Sequence, residues 1–591
     1  MALDGLVLKS IKDELTATLI KGRLDKIYQP KDNLLTLRFR LPGENIELLL
    51  SAQAQSPRVH ITEEDRKNPL RPPAFCMLLR KHLKHGRLRK IEQPDFERIL
   101  KFYIDSKNEA GTIETKILII EVMGRHSNII LTTEDGKILD SIKRVTSDMS
   151  RHREILPNLQ YKAPPAQDKV NPRKVKKKRF LELIQADIER PIFRALLENL
   201  RGISPLIAKE IAYRAGINRK DKLRKIDSLS LNRLWEEFQK LITTIENKDY
   251  QPTLIVNTDG SFEAYSTVDL TQFPQAEKKC FDSTNQLLDY YFTNVLKRSR
   301  ISNLTASLNR TVENSLNKAQ KRYRRFKGQL KGARNAEKHK IKGELIKANL
   351  HQMKPGQDKL KATNYYSEAQ EEMIIQLDPE LSPIENAQKY FKKYEKAKKS
   401  VDYLENEFRK AKNEISYLKQ VAVHIEQAEE IADLEAIKTE LSEEGYIKTK
   451  QKQKSKSKQK NKKSKPLKFK SNDNYDIRVG RNNRQNDYLL KRVASNDDIW
   501  LHVKDLAGSH VIILNHTGGE VPQQTIEEAA HLAAYYSKGR KSSNVPVDYT
   551  LAKNVNKPKG AKPGLVYYEK QQTLYVTPAV EVIKELKNSQ P

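Results

Sequence analysis

The sequence predicts a multidomain α+β protein organised around a long antiparallel coiled-coil hairpin. Apolar residues recur at alternating three- and four-residue steps over residues 394–425, which is the spacing of a coiled-coil seam. Short segments rich in β-branched and aromatic residues, separated by turns, fill residues 24–132. A Lys-rich stretch then separates the seam from a compact C-terminal segment. These observations predict an N-terminal mixed β domain, a helical middle and a C-terminal α/β domain.

The coiled-coil seam has a candidate partner upstream in the chain. Apolar residues in 301–333 follow a similar, less regular rhythm. Pro355 and Gly356 would end this first helix, and residues 365–377 favour an extended chain. Ser382, Pro383 and Glu385 would then begin the second helix with a capping box. We therefore expect two antiparallel arms of roughly 55 to 60 residues, reaching on the order of 80 to 90 Å.

The N-terminal region favours strands around two amphipathic helices. The helices are expected at residues 6–19 and 75–83. The strands are expected at residues 24–28, 34–41, 46–51, 99–104, 117–123 and 129–132. This pattern predicts a mixed β domain.

The charge balance favours a polyanionic partner. The 591 residues include 109 Lys and Arg against 76 Asp and Glu, a formal net charge of +33. Such an excess suits nucleic acid or an anionic membrane surface, and the first coiled-coil arm is itself strongly basic. Cys76 and Cys280 are too few for a disulfide framework or a zinc cluster. Without an export signal or a long apolar run, we expect a cytosolic protein with no metal, cofactor or membrane partner.

Two loop clusters in the N-terminal domain are candidate RNA contacts. Glu97 and Arg98 follow Pro94, and residues 121–128 form a strand end and turn that contain Arg125 and His126. A guanidinium, an imidazole and an amide at one turn suit phosphate or base-edge contacts. The alternative is a structural turn whose arginine pairs with a nearby carboxylate.

Residues 200–211 resemble the turn of a helix-hairpin-helix element. In that element a glycine-containing turn and a helix N-terminus present backbone N–H groups to a phosphate. Ser204 stands where the second glycine is usual, so a plain helical connector is the alternative.

The C-terminal segment carries a second set of candidate RNA contacts. Residues 478–486 place three arginines and four amides in one predicted loop, and Trp500 and His502 fall on one face of a strand. Arginine, amide and aromatic groups are typical of sites for looped RNA. The residues assigned are Arg481, Asn482, Arg484, Trp500 and His502. The alternative is that histidines here are structural.

Five segments, in order, resemble the NFACT family. They are Leu49-Leu50-Ser51-Ala52 with Arg58-Val59-His60, Pro73-Ala74-Phe75-Cys76-Met77-Leu78-Leu79-Arg80-Lys81-His82, Met123-Gly124-Arg125-His126-Ser127-Asn128, Gly480-Arg481-Asn482-Asn483-Arg484-Gln485-Asn486, and Asp498-Ile499-Trp500-Leu501-His502. The resemblance spans the chain and implies an NFACT-N domain at 1–170, a helix-hairpin-helix domain at 171–285, a coiled-coil middle at 286–440, a disordered Lys-rich linker at 441–472, and an NFACT-R RNA-binding domain at 473–591.

The resemblance also implies a function. The family binds large (50S) ribosomal subunits, through rRNA and stalk-base proteins, when they retain peptidyl-tRNA after a stall. It recruits alanine-charged tRNA, with RqcP as a further partner, and directs mRNA-independent alanine tailing that marks nascent chains for degradation. Peptide bonds would form in the ribosome, so no enzymatic activity is expected of this cytoplasmic, ribosome-associated chain.

The resemblance implies specific tRNA contacts as well. Glu97 and Arg98 match the family's Asp-Arg pair, with Glu in place of Asp, and Glu121, Arg125 and His126 lie in its second marked strand-turn.

Two other functions deserve comparison. The family's N-terminal domain is similar in fold to that of formamidopyrimidine-DNA glycosylases, but this chain has Ala2-Leu3 in place of an N-terminal proline and lacks four zinc cysteines. Glycosylase chemistry is therefore not expected. An older family name suggests a fibronectin-binding surface adhesin, which is the alternative function.

Overall fold

The computed structural model describes residues 3–165, 168–368, 370–448 and 464–588. The chain divides into two compact units, one ending at Leu296 and one beginning at Lys297. Each unit is described by itself below.

An antiparallel sheet forms most of the first unit. Its strands are β1 (Arg23–Lys31), β2 (Leu34–Leu41), β3 (Glu44–Ser51), β4 (Arg58–Ile61), β5 (Arg87–Glu92), β6 (Ile99–Lys107), β7 (Ile113–Glu121), β8 (Asn128–Thr133) and β9 (Ile138–Ser141). Their spatial order is β4-β3-β2-β1-β5-β6-β7-β8-β9. The six expected strands are confirmed. β4, β5 and β9 were not predicted. β4 and β9 have only four residues each, and four of the six residues of β5 are charged.

Two helices cover one face of this sheet. They are α1 (Gly5–Leu19) and α2 (Ala74–Leu83), both predicted from their apolar spacing. Asp4 caps α1, because its carboxylate accepts hydrogen bonds from the backbone N–H groups of Leu6 and Val7 at 3.1 and 2.9 Å. Leu8 and Leu15 of α1 and Leu79 of α2 are fully buried in the shared core, so the hydrophobic effect holds the helices on the sheet.

A helical region follows the sheet. It contains α3 (Lys177–Gln185), α4 (Ile192–Asn199), α5 (Pro205–Arg214) and α6 (Ser228–Glu246), and then the strands β10 (Thr253–Val256), β11 (Phe262–Ser266) and β12 (Glu277–Cys280). Leu6 of α1 and Phe96 belong to the apolar core of this region. The sheet and the helical region therefore share a core within the first unit.

The turn before α5 is packed inside the first unit. Ser204 caps α5 by accepting a hydrogen bond from the backbone N–H of Ile207 at 3.3 Å, and it also hydrogen-bonds the buried Asp4 carboxylate. Gly202, with φ +77°, lies against Phe96, and an added Cβ would come within 2.7 Å of the Phe96 Cβ. These contacts favour the connector interpretation over a phosphate-binding hairpin.

The second unit begins within a long helix. α7 (Thr284–Arg334) is followed by α8 (Glu337–Ala348), β13 (Lys359–Thr363), β14 (Glu372–Gln376), α9 (Pro383–Glu426) and α10 (Ile431–Glu443). The capping box predicted at Ser382 and Glu385 is present. The expected extended stretch contains β14, which pairs with β13 as an antiparallel hairpin.

Contacts between α7 and the two later helices run in the antiparallel sense. Near its start in this unit, Arg300 of α7 forms an ion pair with Glu435 of α10. Farther along, the ring of Tyr323 stacks on that of Phe408 of α9, with 4.8 Å between ring centroids. Apolar clusters line the seam, as the heptad spacing requires.

The C-terminal domain is a second antiparallel sheet with helices. Its elements are β15 (Leu467–Lys470), β16 (Asp476–Val479), α11 (Asn483–Tyr488), β17 (Ile499–Val503), β18 (Val511–Leu514), α12 (Gln523–Tyr535), β19 (Val545–Leu551), β20 (Val555–Asn556), β21 (Tyr567–Tyr568), β22 (Gln572–Val576) and α13 (Val580–Asn588). The main sheet has the order β15-β16-β18-β17-β19-β22, and α12 packs on it.

The expected disordered linker at 441–472 is too long. α10 continues to Glu443 and β15 begins at Leu467, because the ends of this segment have partners to pack against. Residues 449–463, the centre of the expected linker, lie outside the described residues. Within the described ranges, no helix is long and apolar enough to cross a membrane.

Replacing Gly202 with Ala should lower the free energy of unfolding of the first unit by about 2 to 4 kcal/mol. The reasons are that the left-handed backbone disfavours Ala and that the new Cβ would clash with Phe96. Gly216 is the matched control, since its φ is +73° but an added Cβ meets nothing within 4 Å. Gly216→Ala should therefore cost only about 1 kcal/mol. Urea unfolding of both variants tests this, and equal losses would rule out the clash.

Candidate nucleic-acid interface

The loop that carries Glu97 and Arg98 has a strained backbone held by its neighbours. Asp95 and Phe96 have φ values of +38° and +60°, a region that non-glycine residues rarely occupy. The Gln93 side-chain amide donates hydrogen bonds to the carbonyl oxygens of Gly5 at 2.9 Å and Glu97 at 3.0 Å. The packing of Phe96 against Gly5 and Gly202 completes the restraint. The loop thus has one fixed conformation in which Glu97 and Arg98 are half-exposed.

Basic side chains from a distant part of the sequence gather at this loop. The Arg201 Nε lies 3.4 Å from the Glu97 carboxylate, and an Arg201 Nη lies 3.4 Å from the Asp95 carboxylate. Arg201 also donates a hydrogen bond to the Lys169 carbonyl oxygen at 3.1 Å. Burial, and then the nearby Arg98 charge, lower the pKa of Lys169, which places these two cations close together. Such a cluster can bind a phosphate.

Sequence reasoning missed Lys169 and Arg201. Both are ordinary basic residues, far in sequence from Arg98, and no spacing rule connects them. The parallel bridge between Val170 and Leu200 aligns their segments, and this pairing appears only in the folded chain.

The 122–127 turn presents Arg125 and His126 to solvent. Both side chains are exposed, and the Arg125 Nε donates a hydrogen bond to the His126 Nε2 at 2.9 Å. The Ser127 hydroxyl accepts a hydrogen bond from the Met123 backbone N–H at 2.7 Å and donates one to the Gly124 carbonyl oxygen at 2.8 Å. Gly124 has φ +57°, so this tight turn aims the guanidinium and the imidazole outward.

Glu121 is buried beneath that turn. Its carboxylate has no solvent exposure and accepts hydrogen bonds from Arg153 at 2.7 and 2.5 Å and from the Tyr161 hydroxyl at 2.9 Å. Burial lowers the pKa of Arg153, but Glu121 more than offsets this and leaves the pKa raised. The expected direct RNA contact at Glu121 is therefore corrected, because the carboxylate is enclosed and fully used within the protein.

Strand pairing brings the two candidate loops to one end of the sheet. The 93–98 loop leads into β6 and the 122–127 turn leaves β7, and Ile99 of β6 pairs with Glu121 of β7. Neighbouring strands are about 4.8 Å apart. Residues 93–98 and 122–127, called the loop end of the sheet below, therefore form one surface that carries Arg98, Arg125 and His126.

The arginine- and amide-rich motif at 480–486 attaches the C-terminal domain to α10. Arg481 forms an ion pair with Asp433 at 3.0 Å, the Asn483 amide donates a hydrogen bond to Glu440 at 3.0 Å, and Arg484 forms an ion pair with Glu443. Asp433 and Glu440 are almost fully buried. These three contacts, called the α10 clasp below, account for side chains that the sequence suggested for RNA.

Two of the tentative RNA contacts in this domain are corrected. Asn482 is 2% exposed, and its side chain caps α11 by accepting a hydrogen bond from the Gln485 backbone N–H at 3.0 Å. Trp500 is fully buried, and its ring packs against Tyr568 with 4.7 Å between centroids, so it has no free face for a base. Arg481, Arg484 and the half-buried His502 stay predictions.

Two histidines lie beside the buried Trp500, and a third, His424, lies near His502. The Trp500 ring lies 5.8 Å from that of His502 and 5.3 Å from that of His510, centroid to centroid, which confirms that Trp500 and His502 share a face. Burial, and then the charge of His502, lower the pKa of the α9 residue His424 to about 3. Burial also lowers the pKa values of His502 and His510. Among the described residues no group of His, Cys, Asp or Glu is arranged to hold a metal ion.

The architecture is that of a multidomain α and β protein with a basic loop end on its N-terminal sheet and a separate C-terminal sheet. Family models match it accordingly: the NFACT N-terminal and middle domains match residues 4–460, and the NFACT protein RNA binding domain matches residues 465–570. The chain belongs to the NFACT family.

Relatives agree with this assignment. The Rqc2 homolog RqcH of Bacillus subtilis is 39% identical over 591 residues, covering 100% of both chains. The human ribosome quality control complex subunit NEMF is 21% identical, over 90% of this chain and 55% of that protein. The N-terminal part of the fibronectin/fibrinogen-binding protein from Streptococcus suis is 31% identical, with a TM-score of 0.42, over 50% of this chain and 100% of that structure.

Replacing Glu121 with Ala should destabilise the first unit by about 3 to 5 kcal/mol, because it leaves the largely buried Arg153 without its carboxylate. Glu97→Ala is the matched control, since Glu97 is half-exposed and its loss should cost under about 1 kcal/mol. Chemical denaturation of both variants measures the difference. Equal stability would show that the Glu121–Arg153 pair does not hold the turn.

Acidification should weaken the second unit through His424. Its pKa is about 3 when folded against 6.5 when unfolded, so the unfolded chain takes up the proton first as the pH falls below 6.5. Its contribution to the free energy of unfolding is therefore retained above pH 6.5 and lost as the pH drops, by about 1 kcal/mol at pH 5.5.

His424→Leu should remove this part of the pH dependence, whereas the same change at the exposed His516 should not. Urea unfolding at several pH values, followed by Trp500 fluorescence in a Trp235→Phe background, compares the two variants. Parallel pH profiles for His424→Leu and the parent would contradict the assignment.

Proposed function

We propose that this protein is a ribosome-associated quality control factor. It binds large (50S) ribosomal subunits that retain peptidyl-tRNA after a stall, recruits alanine-charged tRNA and directs mRNA-independent C-terminal alanine tailing. The ribosome forms the peptide bonds, and this chain acts by recruitment. RqcP and the stalk-base proteins of the large subunit are its expected protein partners.

The end-to-end similarity to the Bacillus subtilis RqcH carries this proposal, because it covers both chains completely. The human relative, which is named a ribosome quality control complex subunit, supports ribosome quality control as the process. The net charge of +33 independently favours an RNA partner.

The loop end of the sheet is the proposed tRNA contact. Arg98 supplies a phosphate-binding cation on a rigid loop, and Lys169 and Arg201 place two more cations beside that loop. Arg125 and His126 are exposed next to it and suit contacts to phosphate or base edges. Glu97 orients Arg201 by their ion-pair contact. The proposed ligand of this surface is tRNA-Ala.

Replacing Glu97 and Arg98 together with Ala should abolish co-purification of tRNA while leaving association with large subunits largely intact. The reason is that the change removes one phosphate-binding cation and the carboxylate that orients a second. The measurement is sequencing and quantification of RNA recovered with the tagged full-length protein, together with sedimentation of large subunits.

Lys81→Ala with Glu109→Ala is the matched control for this experiment. It removes one cation and one anion from an exposed ion pair with an N–O distance of 2.9 Å, so the net charge also stays the same. The control should recover tRNA like the parent. Unchanged tRNA recovery in the Glu97/Arg98 variant would contradict the assignment of this site. Cell fractionation that found most of the protein at the cell surface would favour the adhesin function instead.

A further inference from the structure

Three arginines lie side by side across three neighbouring strands of the N-terminal sheet. Arg23 at the start of β1 is directly opposite Arg40 of β2 and directly opposite Arg87 of β5. Residues opposite each other in antiparallel strands project from the same face. With strands about 4.8 Å apart, the three guanidinium groups form a short row, called the arginine row below.

The arginine row is electrostatically unfavourable in the protein alone. Like charges directly opposite each other destabilise a sheet, and Arg40 and Arg87 are exposed while Arg23 is half-buried. Within the described part of the chain no ion pair is found for any of the three. Asp105 of β6 lies opposite Arg87 but is 3.8 Å from Arg89, and Arg87 donates one hydrogen bond to the Lys21 carbonyl oxygen at 3.2 Å. Arg38 and Arg89 on the same strands, in contrast, pair with Glu47 and Glu134. The row therefore has unused capacity for an anion.

The row lies in an open groove of about 1170 Å³. Lys21, Lys26 and Arg38 line the same groove, and its carboxylates are Asp25 and Glu44. Glu47 pairs with Arg38, so six basic side chains stand against three acidic ones and the surface is positive. An extended anion with several charges can contact the whole row, which a single small anion cannot do.

The row is at the opposite end of β5 from the proposed tRNA contact. Arg87 begins β5, whereas the 93–98 loop follows the last residue of the same strand. β5 has six residues, so about 20 Å of strand separates the two positions. The row is therefore a separate group of cations from Arg98 and Arg125.

We propose that the arginine row is a second, sequence-independent binding surface for the phosphate backbone of RNA. Successive phosphates of one strand present anions at regular short intervals, which matches a row of guanidinium groups better than a folded acidic protein surface would. Arginine donates two parallel hydrogen bonds to a phosphate. The inference rests on the proposed function for RNA as the partner and adds a contact that the loop end does not make.

The test compares two variants of the full-length protein that change the net charge equally. Arg40→Glu with Arg87→Glu reverses two exposed members of the row, and Lys31→Glu with Lys137→Glu reverses two exposed lysines farther from it in the same unit. The probe is a short fluorescein-labelled RNA duplex, titrated over a series of KCl concentrations. Circular dichroism and urea unfolding confirm that both variants are folded, and Arg40→Gln with Arg87→Gln provides a milder change.

The row variant should bind the duplex about tenfold more weakly at near-physiological salt, and the slope of log K against log [KCl] should become shallower by about 1.4 to 1.8, the value for two lost phosphate contacts. The control should change both quantities much less. Equal affinity and slope for the row variant and the control would overturn the proposal.

Two further results separate this proposal from others. If the row variant keeps its RNA affinity but loses binding to phosphatidylglycerol vesicles that the parent binds, the row is a lipid surface and the proposal is overturned. If the Glu97/Arg98 variant loses tRNA while the row variant binds the duplex with the same affinity as the control, only the proposal for the arginine row is overturned. If the parent binds neither tRNA nor duplex, the proposed function itself fails.

Discussion

The close approach of Phe96 to Gly5 and Gly202 fixes the geometry of the proposed tRNA contact. These residues belong to the first helix, a strand connection and the turn before α5, yet an added Cβ at Gly5 would come within 2.2 Å of the Phe96 carbonyl oxygen. Only glycine leaves room for backbones so close. This contact holds the strained loop in place and brings the segment of Arg201 beside it. The cluster of cations is therefore a consequence of backbone packing rather than of any local motif.

The C-terminal domain shows why a polar motif is ambiguous in sequence. Arginine and amide side chains serve RNA binding and internal attachment equally well, since both require several donors in a small space. Here the buried carboxylates of Asp433 and Glu440 need donors, and the 480–486 motif provides them through the α10 clasp. Gly480 belongs to the same arrangement, because an added Cβ there would lie 2.0 Å from the Asn486 side-chain oxygen.

Periodicity and capping chemistry predicted most of the regular elements. The apolar spacing of α1, the capping box of α9 and the β-branched segments of the first sheet are local signals, and all three are present in the structure. The charged strand β5 lacks such a signal, since its pairing partners rather than its own residues make it a strand. The site residues also divide into those that local sequence predicts and those that depend on distant partners. Arg125 and His126 are exposed at a turn as expected, whereas the burial of Glu121 and Trp500 depends on Arg153, Tyr568 and other distant partners.

The position of the two basic surfaces on one sheet constrains how they can act together. β5 connects them directly, because its first residue belongs to the arginine row and the loop after its last residue carries Arg98. β5 pairs with β6 from Arg87 to Glu92 and cannot shorten freely, so the separation of about 20 Å is fixed by the sheet. An RNA that occupied both surfaces would have to span that distance with its own backbone. The affinity of an RNA for both surfaces together would then depend on its shape as well as on its charge. A flexible anion loses conformational entropy when it is held extended, whereas a structured RNA does not.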